Sequence, residues 1–113
     1  MDPVDRSSAQ HYTWGDVCDG WRFLDLPQFS VIQERVPPGG CEVAHTHKEA
    51  HQFFYVLSGV ATIEVEGDAV SLVADQGVHV APGVRHRFTN PSDHDVTFLV
   101  ISTPSTKNDR DEA

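Results

Sequence analysis

Three observations predict an all-β fold, a sandwich or barrel. Short segments rich in β-branched and aromatic residues recur along most of the chain, and nearly every gap between them carries turn chemistry. No stretch repeats its apolar residues at the helical period, so an α/β alternation is excluded.

The strand pattern runs from about Trp21 to Ser102, through Phe29 to Val36, Cys41 to His47, Gln52 to Ser58, Val60 to Glu66, Ala69 to Val73, Val78 to Ala81, Arg85 to Thr89 and Val96 to Ser102. Pro37-Pro38-Gly39-Gly40, Ser58-Gly59, Glu66-Gly67-Asp68, Asp75-Gln76-Gly77, Pro82-Gly83 and Asn90-Pro91-Ser92-Asp93 interrupt it, supplying positive φ, fixed φ or side-chain bonds to the backbone. From Val60 to Glu66 apolar and polar residues alternate, which predicts one buried face and one wet face. Phe53 to Leu57 is apolar throughout and predicts a strand covered on both sides, the second cover being another layer or another subunit. Residues 1–20 read as an N-terminal arm, 21–103 as the barrel, and 104–113 as a mobile, solvated acidic tail.

The 113 residues suffice for one domain with its own core. Seventeen acidic residues against eight basic ones give a formal charge of −9, which opposes nucleic acid and anionic membranes. No segment approaches the roughly 20 apolar residues of a membrane span, and the N-terminus has no apolar run behind a basic start. The expectation is a cytoplasmic protein. Cys18 and Cys41 stand apart, outside any Cys-x-x-Cys pair, so a bridge between them is not expected. There is no phosphate-binding glycine loop, nucleophile elbow or motif-borne carboxylate pair.

The chemistry concentrates in His45-Thr46-His47-Lys48-Glu49-Ala50-His51-Gln52 and in Pro82-Gly83-Val84-Arg85-His86. Alternation along an extended segment places both rings of a His-x-His pair on one face, where neutral imidazoles ligate divalent transition metals. These residues resemble the two motifs of the cupin superfamily. Gly39, His45, His47 and Gly59 fall in register with the first motif, G-x5-H-x-H-x4-E-x6-G, and Gln52 stands at its Glu; Gly83, His86 and Asn90 match the second, G-x5-P-x-G-x2-H-x3-N. Asp75 and Ala81 depart from the second motif's first Gly and its Pro.

The resemblance implies a jelly-roll barrel holding one divalent metal (Zn, Mn, Ni or Fe) on His45, His47 and His86, with Gln52 as fourth ligand and His51 as the alternative. Neighbouring strand residues point opposite ways, so His51 and Gln52 do not both face inward without a bulge. The implied function is Lewis-acid chemistry on a small carbonyl, enol or carboxylate-bearing molecule, of isomerase, decarboxylase or cyclase type, in a homodimer. A three-histidine iron(II) dioxygenase and a non-enzymatic ligand-binding module are the alternatives. Catalytic residues stay open: His51, His79, Tyr55 and Glu34 qualify for proton transfer by residue type alone. His11 and His94 read as solvated loop residues, and His79 as a packed core histidine. The aromatic residues Trp14, Trp21, Phe23, Phe29, Phe53, Phe54 and Tyr55 read as core and interface packing, and Arg35, Arg85 and Arg87 as surface ion-pair partners.

Overall fold

Alternation in the sequence becomes strands wherever one face can be buried, and the computed structural model, which describes residues 1–112, contains β1 (Gln10–Trp14), β2 (Cys18–Asp25), β3 (Ser30–Val36), β4 (His51–Ser58), β5 (Ala61–Val65), β6 (Asp68–Leu72), β7 (Gly77–Val80), β8 (His86–Thr89) and β9 (Val96–Thr103). They form a six-stranded sheet in the order β1-β2-β3-β9-β4-β7 and a three-stranded sheet in the order β6-β5-β8, paired antiparallel throughout. This is the jelly-roll, or double-stranded β-helix, architecture.

Register decides what lies between the sheets. On β9, Val96, Phe98, Val100 and Ser102 are buried while Thr97, Leu99 and Ile101 face away. On β4, Gln52, Phe54 and Val56 point inward. From the smaller sheet Ile63 and Phe88 meet them, and the Phe88 and Phe98 rings stack with centroids 3.9 Å apart. Phe54 lies 6.0 Å from Phe88 and 5.9 Å from the His86 ring, so the apolar core ends directly against the histidines.

Several turn positions are dictated by sterics. Gly59 has φ of +88°, and a Cβ there would sit 2.4 Å from the Asp95 carbonyl oxygen. At the motif's departure, Asp75 adopts φ of +70°, the left-handed conformation that glycine would take and aspartate tolerates. Asn90 is buried and structural: its Nδ2 donates to the carbonyls of Val36 (2.9 Å) and His94 (2.7 Å), and its Oδ1 accepts from the Ser92 amide and hydroxyl.

The structure departs from the sequence expectations in several places. The sheet starts at Gln10, ahead of the Trp21 boundary, because Tyr12 lies against Gly20, where any Cβ would overlap the Tyr12 ring. Residues 41–47 are not a continuous strand; they touch β8 through isolated bridges, Cys41 to Thr89 and His45 to His86. The outer face of β4 is uncovered in the single chain, with Phe53 and Leu57 exposed. The tail is not free in solvent: Thr46 and Asp111 exchange backbone hydrogen bonds of 2.8 and 2.9 Å. His79 is exposed on the outer face, where it stacks on His51, and His11 lies on β1 with its Nε2 2.7 Å from the Asp19 carboxylate. His94 is exposed, as expected. Arg35 pairs with Asp19 and Asp95, and Arg87 with Glu64. Both cysteines are free thiols.

Candidate metal centre

His86 opens β8, and the bridge from His45 to His86 fixes the approach of the two segments, each amide donating to the other's carbonyl at 3.0 Å. Alternation then places His47 beside His45, as the His-x-His spacing predicts. All three imidazoles are buried, their ring centroids lie 4.4 to 5.5 Å apart, and one ligand atom from each falls within 4.8 Å of the others.

The hydrogen bonds fix the tautomers. Nδ1 of His45 meets the Val43 carbonyl at 2.7 Å, Nδ1 of His86 meets the Val84 carbonyl at 2.9 Å, and Nδ1 of His47 meets the Asp109 carbonyl. A carbonyl only accepts, so each Nδ1 carries the proton and each Nε2 presents a lone pair. Among the described residues, His47 Nε2 is the buried side-chain polar atom left without a hydrogen-bond partner. Burial depresses the His45 imidazole to about 4, outweighing its Val43 hydrogen bond, and also lowers His86. Both rings are therefore neutral at pH 7, as metal ligation requires.

Gln52 points into the same space. Its Nε2 lies 3.1 Å from the Ser102 hydroxyl, which leaves Oε1 3.0 Å from His86 Nε2. Two acceptors at that distance share no proton, given that Nδ1 holds the imidazole hydrogen. Such a contact fits a pair of donors aimed at a common cation. His51, on the next position of β4, points the other way; its Nδ1 lies 2.9 Å from His79 Nε2. These donor atoms, including the orphaned Nε2, suit a divalent transition metal.

His45 and His47 open into a cavity of about 230 Å³. Gln52 and Phe54 form part of its wall, and Tyr12, Glu34 and Glu42 project into it from the other side. Of the four proton-transfer candidates, the cavity contains Glu34; His51, His79 and Tyr55 belong to the outer face of β4 and β7. Glu42 and Tyr12 were missed. Glu42 lies in a segment without sustained alternation, and Tyr12 in the supposed arm. The Tyr12 hydroxyl donates to Glu34 at 2.9 Å, and Glu42 accepts the Phe88 amide at 2.9 Å. Desolvation pushes Glu34 up to about 7 and Glu42 up to about 8, against the opposing pull of those hydrogen bonds. Two carboxyls poised near neutrality beside a set of metal donors can take up and return protons.

The cupin domain sequence model matches residues 32–102, the segment from β3 to β9 that carries all four inward donors. Polyketide synthase CurC from Streptomyces cyaneus is 31% identical over 67 residues, 59% of this chain and 44% of that protein, so the match spans less than half of the relative's length. Among solved structures, KdgF from Halomonas sp. superposes with a TM-score of 0.85 at 14% identity, covering 96% of this chain and 97% of the other. The polyketide cyclase RemF from Streptomyces resistomycificus superposes with a TM-score of 0.81 at 20% identity, covering 93% and 80% respectively. At such identities the structural likeness is one of fold. With the family match over most of the barrel and the three histidines in place at its interior, the chain belongs to the cupin family.

Proposed function

We propose that this cupin is a metal-dependent enzyme that rearranges, cyclises or decarboxylates a small carbonyl, enol or carboxylate-bearing molecule, with His45, His47, His86 and Gln52 as the ligands of one divalent ion. The observation that carries the reading is the convergence of three buried imidazoles whose Nε2 atoms are all left unprotonated by their Nδ1 partners.

When bound there, a divalent ion supplies Lewis acidity, withdrawing electron density from a substrate oxygen and stabilising the negative charge that develops. Gln52 adds no charge to the donor set, so that polarisation is stronger than with a carboxylate in its place. Glu34 and Glu42 move the protons. With affinities near neutrality, each carboxyl is present in both protonation states at pH 7, and the Tyr12 hydroxyl holds Glu34 in orientation. Phe54 and Val100 exclude water from the inner wall. The cavity volume lies below the ~300 Å³ typical of drug-sized ligand sites, favouring a small substrate or one end of a longer one. The named polyketide proteins among the relatives support a cyclase as the first reaction to assay.

Elemental analysis of the isolated protein, followed by turnover assays with Zn, Mn, Ni and Fe(II) on a panel of oxo acids and poly-β-ketones, tests this. The reading predicts turnover without oxygen uptake. Substrate-dependent oxygen consumption with iron would establish the dioxygenase instead, and failure of every metal and substrate would favour a ligand-binding module. Two free cysteines suit a reducing cytoplasm. The open outer face of β4 and β9, bearing Phe53, Leu57, Leu99 and Ile101, is the surface on which a second copy docks; Leu99→Asp should convert a dimer to a monomer in light scattering.

A further inference from the structure

Arg22 differs from the other arginines that face carboxylates. Arg35, Arg87 and Arg110 each pair with an acid, whereas Arg22 is in none of the ion pairs formed among the described residues of a chain with more than twice as many acids as bases. It lies opposite Ile32 in the β2–β3 register, on the inner side of the sheet, and its guanidinium lies over the Tyr12 ring at 4.2 Å. The Glu34 carboxyl, which accepts the Tyr12 hydroxyl, acts on this guanidinium through its field and forms no ion pair with it, so the part-buried Arg22 keeps N–H donors to offer an occupant.

The space around it is suited to such an occupant. A second cavity of about 210 Å³ adjoins the metal cavity, with Arg22, Ile32 and Thr106 lining both. Its walls add the hydroxyl residues Ser30 and Ser105, and the largely exposed Lys107. Asp25 also faces this chamber, but it lies 3.5 Å from the Lys107 ammonium and is partly neutralised there. Arg22 is therefore the cation at the junction, with an apolar wall at Ile32 leading back to the imidazoles.

We propose that Arg22 anchors an anionic group of the substrate, a carboxylate or phosphate, in this second chamber while the reacting oxygen lies at the three histidines. The substrate class narrows to small acids or phosphate esters bearing a carbonyl or enol at a distance from the charge. This rests on the metal reading for the placement of the reacting end; the anion site itself does not. A planar guanidinium fits either oxyanion bidentately, and the Tyr12 ring supports it from one side at 4.2 Å.

The test uses inorganic phosphate and succinate separately, titrated into the metal-free 113-residue chain at constant ionic strength, with the Arg22 side-chain Nε resonance as readout. Saturable binding of phosphate alone assigns a phosphate ester, of succinate alone a carboxylic acid, and of both the shared oxyanion chemistry. Arg22→Gln should weaken the binding by roughly tenfold or more, and Arg22→Lys should recover part of it. Zinc affinity should be equal in wild type and Arg22→Gln. Saturation by neither anion, or equal binding in Arg22→Gln, overturns the proposal. If the glutamine variant does not fold, the wild-type Nε titration decides alone. Loss of zinc binding with the anion response intact would sink the metal reading and leave this site standing.

Discussion

Removing one tail carboxylate should weaken the metal centre, although Asp109 is no ligand. Its two oxygens accept the backbone amides of Lys48 (2.6 Å), Glu49 (3.0 Å) and Ala50 (3.0 Å), bracing the loop that follows His47, while its carbonyl accepts a hydrogen bond from His47 Nδ1–H. Asp109→Ala leaves those three amides to water and frees the tail to leave, taking the carbonyl that fixes the His47 tautomer. Hydrogen bonds to a charged acceptor contribute up to about 1.5–3 kcal/mol when sheltered, and solvent access at this half-buried site reduces that sharply. Loss of a partner that orients a ligating histidine lowers metal affinity about 10- to 100-fold, or about 1.4–2.7 kcal/mol. Competition against a chromophoric zinc chelator at pH 7.5 measures it directly. Truncation of residues 105–113 should reproduce the loss, and Asp109→Asn, which keeps an acceptor, should fall between. A zinc affinity in Asp109→Ala equal to wild type would refute the reasoning.

Three further outcomes are expected. Phe98→Ala removes a fully buried ring stacked on Phe88 and should cost about 3–5 kcal/mol in urea unfolding, without changing which metal binds. Glu42 is held at about 8, above its ordinary 4.5, so its favourable contribution is complete below pH 4.5 and is lost as pH rises through 8; Glu42→Gln should melt higher than wild type at about pH 9 and the gain should vanish near pH 4.5. His45 runs the other way. Its folded value near 4 lies below the unfolded 6.5, so its stabilisation is complete above 6.5 and is lost as pH falls towards 4, and His45→Gln should flatten the acid limb of a metal-free melting curve over that window.

What the sequence disclosed, and what it withheld, follows from where the information lies. Strands β3 to β9 were legible because alternation and turn residues are local properties, and the three imidazoles because the His-x-His spacing and motif register survive in the chain. The period of two allows only one of His51 and Gln52 to face inward, the motif spacing to Gly59 favours Gln52, and the structure has Gln52 buried and His51 exposed. Strand β1 was hidden: Gln10, His11 and Thr13 are polar, and Tyr12 finds its place only because Gly20, on the neighbouring strand, leaves room for the ring. The tail escaped detection for the same reason, since Asp109 and Asp111 gain meaning from partners about sixty residues away. His79 sits between two valines and reads as core, yet its register opposite Phe53 turns it outward. Glu34 qualifies by residue type alone, and Glu42 looks like an ordinary surface acid, until the barrel brings both to one cavity.

Metal stoichiometry in wild type and in His86→Ala addresses the central claim most directly. Equilibrium dialysis against zinc followed by elemental analysis should find one ion per chain in the wild type, close to none in His86→Ala, and partial occupancy in Gln52→Ala. Full occupancy in His86→Ala, with the barrel intact by circular dichroism, would contradict the claim that the three imidazoles share one ion.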